Sequence, residues 1–149
     1  MKTETPIVAN DIIEGTVTAH VHLQIPTKAL IEWVNQAYET DAIFYWMDDV
    51  RGRKKALLEI GGLVHHYTYQ FEVLARDNSL RADWHAINVE TILRGIEAIL
   101  SGKIKLNSRL ISYIQQGVLE AVTDQTGELD SEGLDCVIQA GLFGEVIYG

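Results

Sequence analysis

The chain has 149 residues, of which 47% are hydrophobic and 22% are charged, and this balance predicts one folded domain with a core rather than a disordered chain. The formal net charge of −9 opposes direct binding to nucleic acid, which normally needs a basic patch. The single cysteine, Cys136, excludes an internal disulfide and a cysteine-built zinc site.

The sequence predicts a cytoplasmic protein without a membrane partner. No apolar run approaches the roughly 20 residues that a membrane-spanning helix needs. The first six residues carry a single positive charge, with no apolar signal core behind it. Cys136 lies among Leu134, Val137 and Ile138, so we expect it to behave as a small buried hydrophobe.

A strand followed by a helix is the first predicted unit. Residues 16–25 alternate strictly between polar and apolar, as is typical of a half-buried strand. Pro26 ends the strand, and Thr27 is placed to cap the helix that follows. Apolar residues then recur at helical spacing: Leu30, Ile31, Val34, Ala37 and Tyr38.

The middle of the chain predicts further β-structure. Residues 42–47 form a short aromatic stretch that fits either a buried strand or the end of a helix. The basic run of residues 51–55 is interpreted as a solvated turn, with a phosphate-binding patch as the alternative. Gly61-Gly62 breaks the pattern, residues 67–74 predict a strand, and residues 76–79 predict a turn.

Three further helices are predicted in the last part of the chain. Asn88 can cap the first of them, which ends at Ser101-Gly102. Asn107 or Ser108 opens the next, and Ser131 is the candidate cap of the last. The predicted fold class is therefore α+β, with a small, mostly antiparallel sheet packed against about four helices in a single domain over residues 1–149.

Histidine and tryptophan residues supply the candidate site. His20 and His22 lie two apart on the predicted strand, so both imidazoles point to one side and could reach a metal ion. No third ligand is nominated by the spacing, and we predict no tightly bound metal or other cofactor. The alternative places both histidines on the polar face of a half-solvated sheet.

The segment Asp83-Trp84-His85 places a carboxylate close to an imidazole, where an acid–base pair could work. In the alternative, Trp84 packs at a helix start and His85 caps the helix or faces water. No serine or cysteine lies in a recognisable nucleophile turn, so no catalytic residue is assigned. The candidate surface for a partner or ligand consists of His20, His22, Trp46, Trp84 and His85.

The C-terminus is unusually apolar for the end of a domain, because it contains Leu142, Phe143, Val146, Ile147 and Tyr148. We expect this tail to dock against the helix stripe that includes Ile92, Ile96 and Ile99, or to enter the sheet. The competing interpretation is an exposed tail used for a partner or for self-association.

Three pieces of the sequence carry a resemblance to other proteins. They are residues 44–46 (Phe-Tyr-Trp), residues 83–85 (Asp-Trp-His) with 92–96 after them, and the ending, residues 136–149. Together they resemble a family of small proteins carried by phages, prophages and other mobile elements. The resemblance implies the cytoplasm of an infected or lysogenic bacterium as the setting and an accessory role, and it carries over no functional residue.

We therefore expect a non-enzymatic accessory protein that binds a bacterial or phage protein, for example to inhibit a defence system. The acidic charge, the three tryptophans and six tyrosines, and the lack of a catalytic signature agree with this expectation. The sequence is also compatible with a homo-oligomer. The alternatives are a small metal-dependent hydrolase that uses His20, His22 and His85, and a structural component of the virion.

Overall fold

Four helices and a three-stranded antiparallel sheet make up the described part of the chain, which is residues 16, 19, 21–123 and 127–149 of a computed structural model. The helices are α1 (Thr27–Glu39), α2 (Val89–Leu100), α3 (Ser108–Thr123) and α4 (Ser131–Phe143). The strands are β1 (Asp49–Ile60), β2 (Leu63–Arg76) and β3 (Ala82–Asn88). This architecture confirms the predicted α+β class.

The sheet follows chain order, β1-β2-β3, and is dominated by the long β1–β2 hairpin. Gly61 and Gly62 connect the two strands with φ angles of 59° and 80°, the positive values that a two-residue type I′ turn requires. β3 pairs only with the second half of β2, from Gln70 to Arg76. The end of the hairpin near the glycines therefore projects beyond β3 as a two-stranded ribbon.

Two irregularities interrupt the β1–β2 register between Arg51 and Lys55. Gly52 has a φ of 66°, which fits the extra residue of a β-bulge on β1. Beyond the second irregularity the register is regular from Lys55 opposite Thr68 to Ile60 opposite Leu63. The ribbon is thus a continuous, evenly paired segment.

The core lies between the helices and one face of the sheet. Phe71, Val73 and Ile87 are fully buried on that face, and Trp33 of α1 is 1% exposed. The remaining large, fully buried side chains come mainly from the helices: Val34, Ile92, Ile99, Ile114, Leu134, Ile138 and Gln139. Burial of the apolar side chains in this set is the main stabilising contribution to the fold.

Glycines allow α2 and α4 to approach closely. A Cβ atom on Gly95 would lie 1.9 Å from the carbonyl oxygen of Val137, and one on Gly141 would lie 2.0 Å from that of Thr91. Both distances are far shorter than atomic contact allows. Each helix therefore needs a glycine where it meets the backbone of the other.

The predicted helix boundaries are largely confirmed. Asn88 caps α2 in a capping box with Thr91, and Asn107 accepts the backbone N–H of Leu110 at the start of α3. The cap of α4 is Asp130 rather than Ser131, since its carboxylate accepts the N–H of Gly133 at 2.6 Å. Thr27 does not cap α1, because it is the first residue inside the helix. The cap position is occupied by Pro26, and no side chain makes a capping hydrogen bond there.

Three other predictions were wrong. Residues 16, 19 and 21–25 do not form a strand, and residues 17, 18 and 20 lie outside the described residues. The basic run is part of β1 rather than a solvated turn, because pairing with β2 keeps it extended. Residues 42–46 form a turn after α1, neither a strand nor a helix end.

Candidate functional site

A buried carboxylate, Asp135, is the centre of the largest polar cluster in the described residues. It is 7% exposed and accepts hydrogen bonds from Trp46 Nε1 at 2.7 Å, from Gln139 Nε2 at 2.9 Å and from the Tyr45 hydroxyl. α4 places residues 135 and 139 on one face because they are one turn apart. The turn after α1 supplies the aromatic donors.

Gln139 extends the cluster to the C-terminal tail. Its Oε1 accepts the backbone N–H of Ile147 at 2.9 Å and that of Tyr148 at 2.8 Å. The Tyr148 ring stacks on Trp46, with centroids 5.7 Å apart and planes 6° apart. The tail is therefore docked, as expected, but on α4 and the turn that contains Trp46. It does not enter the sheet.

The chemistry of the Asp135 cluster fits a structural role. Desolvation raises the pKa of Tyr45 well above its usual range, and the neighbouring Asp135 charge and hydrogen bond add to this. Burial, reinforced by Asp135 and nearby acids, also raises the pKa of Cys136 to about 11. Neither group is a base or a nucleophile at neutral pH, and Cys136 is the buried hydrophobe expected from its neighbours.

His85 does not form the acid–base pair considered from the sequence. It lies on β3 beside Phe143, with ring centroids 5.2 Å apart, and its Nε2 has no hydrogen-bond partner among the described residues. The Asp83 carboxylate instead accepts the backbone N–H of Trp84 at 2.8 Å. His85 does not cap α2 either, since Asn88 does.

The remaining histidines are dispersed. His22 is exposed in the segment before α1, and His20 lies outside the described residues. His65 and His66 are exposed neighbours on β2, so their side chains point to opposite faces. Within residues 21–123 and 127–149, together with 16 and 19, no group of three or more His, Cys, Asp or Glu side chains could hold a metal ion.

Trp84 lies on the face of the sheet opposite the helices. The Arg51 guanidinium stacks over its ring, 3.9 Å from the centroid, and Arg51 Nε donates to Glu72 Oε2 at 2.9 Å. These three side chains come from β3, β1 and β2 respectively. We call them the Trp84 triad. The guanidinium contacts an aromatic face and a carboxylate, which brings all three groups together on a face of the sheet that no described helix covers.

The structure brings only part of the predicted surface together. Trp46 and His85 both pack edge-on against Phe143, at 5.8 and 5.2 Å between ring centroids. Trp46 is 5% exposed, so it belongs to the core rather than to a partner surface. Trp84 lies on the opposite face of the sheet, because it directly precedes His85 on β3 and consecutive side chains of a strand point to opposite faces.

Arg51 and Glu72 are site residues that the sequence reasoning missed. A signal for them does exist in the Gly61-Gly62 turn. If a two-residue loop pairs Ile60 with Leu63, counting back along both strands brings Arg51 opposite Glu72, as the register has it. Recognition of the hairpin would have been enough to find the pair.

No protein-family model, curated protein or solved structure matches this sequence. Among the described residues, none of the helices has the length and apolar character needed to cross a membrane.

Proposed function

We propose that this chain is a non-enzymatic accessory binding protein of a phage or other mobile element. It acts on a bacterial or phage protein in the cytoplasm of the host cell, for example as an inhibitor of a defence system. The observation that carries the proposal is the Trp84 triad on the face of the sheet that the described helices do not cover. The mobile-element setting is supported by the resemblance of residues 44–46, residues 83–85 with 92–96, and residues 136–149 to the family described above.

The Trp84 triad has the residue types and the restricted side-chain positions that are typical of a binding hot spot. Tryptophan and arginine dominate the energetics of protein interfaces, because they combine a large contact area with directional polar groups. Arg51 already contacts both Trp84 and Glu72, so part of its side-chain freedom is restricted before binding. Ala86, on the same face of β3, is exposed and leaves room beside Trp84 for a partner.

Binding also fits the chemistry of the other clusters better than catalysis does. The Asp135 carboxylate is occupied by three donors, and the Cys136 thiol remains protonated at neutral pH. The imidazole of His85 lies against Phe143, without the Asp83 contact that an acid–base pair needs. These observations support a binding role over a catalytic one.

Site-specific crosslinking tests the proposal. A photoreactive amino acid in place of Ala86, with the protein produced in a bacterial host, should capture one specific protein. The captured protein is then purified, and its affinity for the chain is measured by titration calorimetry. Trp84→Ala and Arg51→Ala should each raise the Kd by about tenfold or more, which is the effect of losing a hot-spot side chain.

Tyr113→Ala provides the matched control, because Tyr113 is an aromatic residue of α3 that is 50% exposed. The control should bind with unchanged affinity. Equal binding by the Trp84→Ala and wild-type proteins, at unchanged thermal stability, would refute the assignment of this surface. Turnover of a substrate by the purified chain would refute the non-enzymatic function.

A further inference from the structure

Near the end of the hairpin, the outer edge of β1 is not covered by any part of the chain that the structure describes. The sheet order makes β1 an edge strand, and no described residue pairs with its outer side. The half of β1 near Asp49 is interrupted by the irregularity at Gly52, a feature that discourages pairing with another chain. The half from Lys55 to Ile60 has no such irregularity.

Exposed apolar side chains lie on this half of β1 and on the neighbouring end of β2. Leu57 is 62% exposed, and Leu63 and Val64 across the hairpin are 66% and 62% exposed. A two-stranded ribbon is only marginally stable by itself in water. An exposed, regular and apolar edge strand is the kind of surface that associates with another strand.

The hydrogen bond of Thr68 shows which backbone groups of β1 face outward. Thr68 N–H donates to Asn35 Oδ1 at 2.9 Å, so it points away from β1. Thr68 lies opposite Lys55, and this pair is therefore of the type without mutual hydrogen bonds. Because the two types alternate, the N–H and C=O groups of Lys55, Leu57 and Glu59 are all directed toward the open edge.

We propose that two copies of the chain form a dimer by antiparallel pairing of these β1 edges, with Leu57 on the two-fold axis. Leu57 then lies opposite the partner's Leu57, and Lys55 lies opposite the partner's Glu59. Each of these pairs joins residues whose backbone groups face outward. On the other face of the strand, Ala56 lies opposite the partner's Leu58. The order Lys-Ala-Leu-Leu-Glu over residues 55–59 is thus self-complementary in charge and in apolar character.

Other registers lose this match. An axis at Ala56 would set Leu57 against a lysine, and an axis at Leu58 would set it against a glutamate. An axis at Lys55 or at Glu59 would bring two like charges directly opposite each other, which is destabilising. Charge and apolar complementarity therefore select the register centred on Leu57.

Charge reversal on the intact chain tests this dimer by sedimentation equilibrium. Lys55→Glu sets a glutamate side chain against the partner's Glu59 twice in each dimer, and Glu59→Lys places two lysines together in the same way. Each single variant should dimerise about tenfold or more weakly than the wild type. The double variant Lys55→Glu/Glu59→Lys restores every opposite-charge pair and should dimerise like the wild type.

A mixture of the two single variants provides the sharpest readout. A Lys55→Glu chain and a Glu59→Lys chain match each other at both charged positions, so they should form a heterodimer although each alone is largely monomeric. Lys54→Glu is the control, since it changes the net charge equally but lies opposite the partner's Ile60. It should leave dimerisation nearly unchanged.

Each alternative occupant of the edge gives a different result. A wild-type chain that stays monomeric at micromolar concentration would overturn the dimer and would leave the edge to another segment of the chain or to a different protein. A dimer unaffected by either single variant would overturn the β1 interface. Failure of the mixture to associate, with both chains folded by circular dichroism, would overturn the register. None of these variants changes the Trp84 triad, so partner binding is tested separately.

Discussion

Gln139 binds both backbone groups of Tyr148: its Oε1 accepts the N–H at 2.8 Å, and its Nε2 donates to the carbonyl oxygen at 3.2 Å. Gln139 is fully buried and one turn after Asp135, to which the same Nε2 donates at 2.9 Å. One side chain thus joins the buried carboxylate to the end of the chain. We therefore expect that the docked tail and the buried side of α4 lose their structure together.

Gln139→Leu should lower the free energy of unfolding by about 2–4 kcal/mol, because it removes one of the three donors to Asp135 and leaves the partly buried backbone amides of Ile147 and Tyr148 without their acceptor. Urea denaturation followed by circular dichroism measures the change. Deletion of residues 142–149 should destabilise the protein strongly, since it exposes the Trp46 ring. Gln115→Leu, at an exposed position on α3, is the control and should have little effect. A truncated chain that melts like the full chain would show that the tail contributes no stability.

Gly95→Ala should destabilise the protein by at least about 2 kcal/mol, although alanine favours helices over glycine by about 1 kcal/mol. The added methyl group would meet the Val137 carbonyl oxygen at 1.9 Å, and a backbone atom cannot move aside as a side chain can. Thermal unfolding measures the loss. Glu97→Ala, at an exposed position on the same helix, is the control. A higher Tm for Gly95→Ala than for the wild type would contradict the close packing of α2 and α4.

Stability should decrease at alkaline pH. The pKa of Cys136 is raised from its ordinary 9.0 to about 11, because burial disfavours the thiolate. The folded state therefore gains stability that is fully present below pH 9 and is lost as the pH rises toward 11. Tyr45, whose pKa is raised by desolvation and by Asp135, acts in the same direction.

Denaturation curves at several pH values between 8 and 11 measure this dependence. Cys136→Ala should make the decrease shallower. The thiol of the native protein should also react slowly with a disulfide reagent at about pH 8 and quickly after unfolding. Rapid modification of the folded chain would show that Cys136 is accessible.

No transition metal is expected to copurify in a stoichiometric amount. His22 is exposed, and the described residues contain no group of three or more ligands that could hold an ion. Elemental analysis of the purified protein tests this expectation. About one zinc, nickel or iron per chain, lost in a His20→Ala/His22→Ala double variant, would instead favour the metal-dependent hydrolase.

Local signals in the sequence were sufficient for the helices. Asn88 before an amphipathic stripe predicted α2 correctly, because a cap and the first helical turn involve only neighbouring residues. The end of the same helix at Ser101 was also predicted, as was the burial of Cys136 among apolar neighbours. In these cases, the groups that interact lie within a few residues of one another.

Long-range pairing decided what the sequence reasoning missed. Residues 51–55 are strongly polar, and they form a strand only because β2 supplies hydrogen-bond partners across the Gly61-Gly62 turn. The separation of Trp84 from His85 depends on the strand geometry of β3, which the sequence reasoning treated as a helix entrance. The Asp135 cluster joins side chains that are about 90 residues apart, as the Tyr45 hydrogen bond shows. Such contacts form only when the whole chain has folded, since chain entropy opposes them until the core is in place.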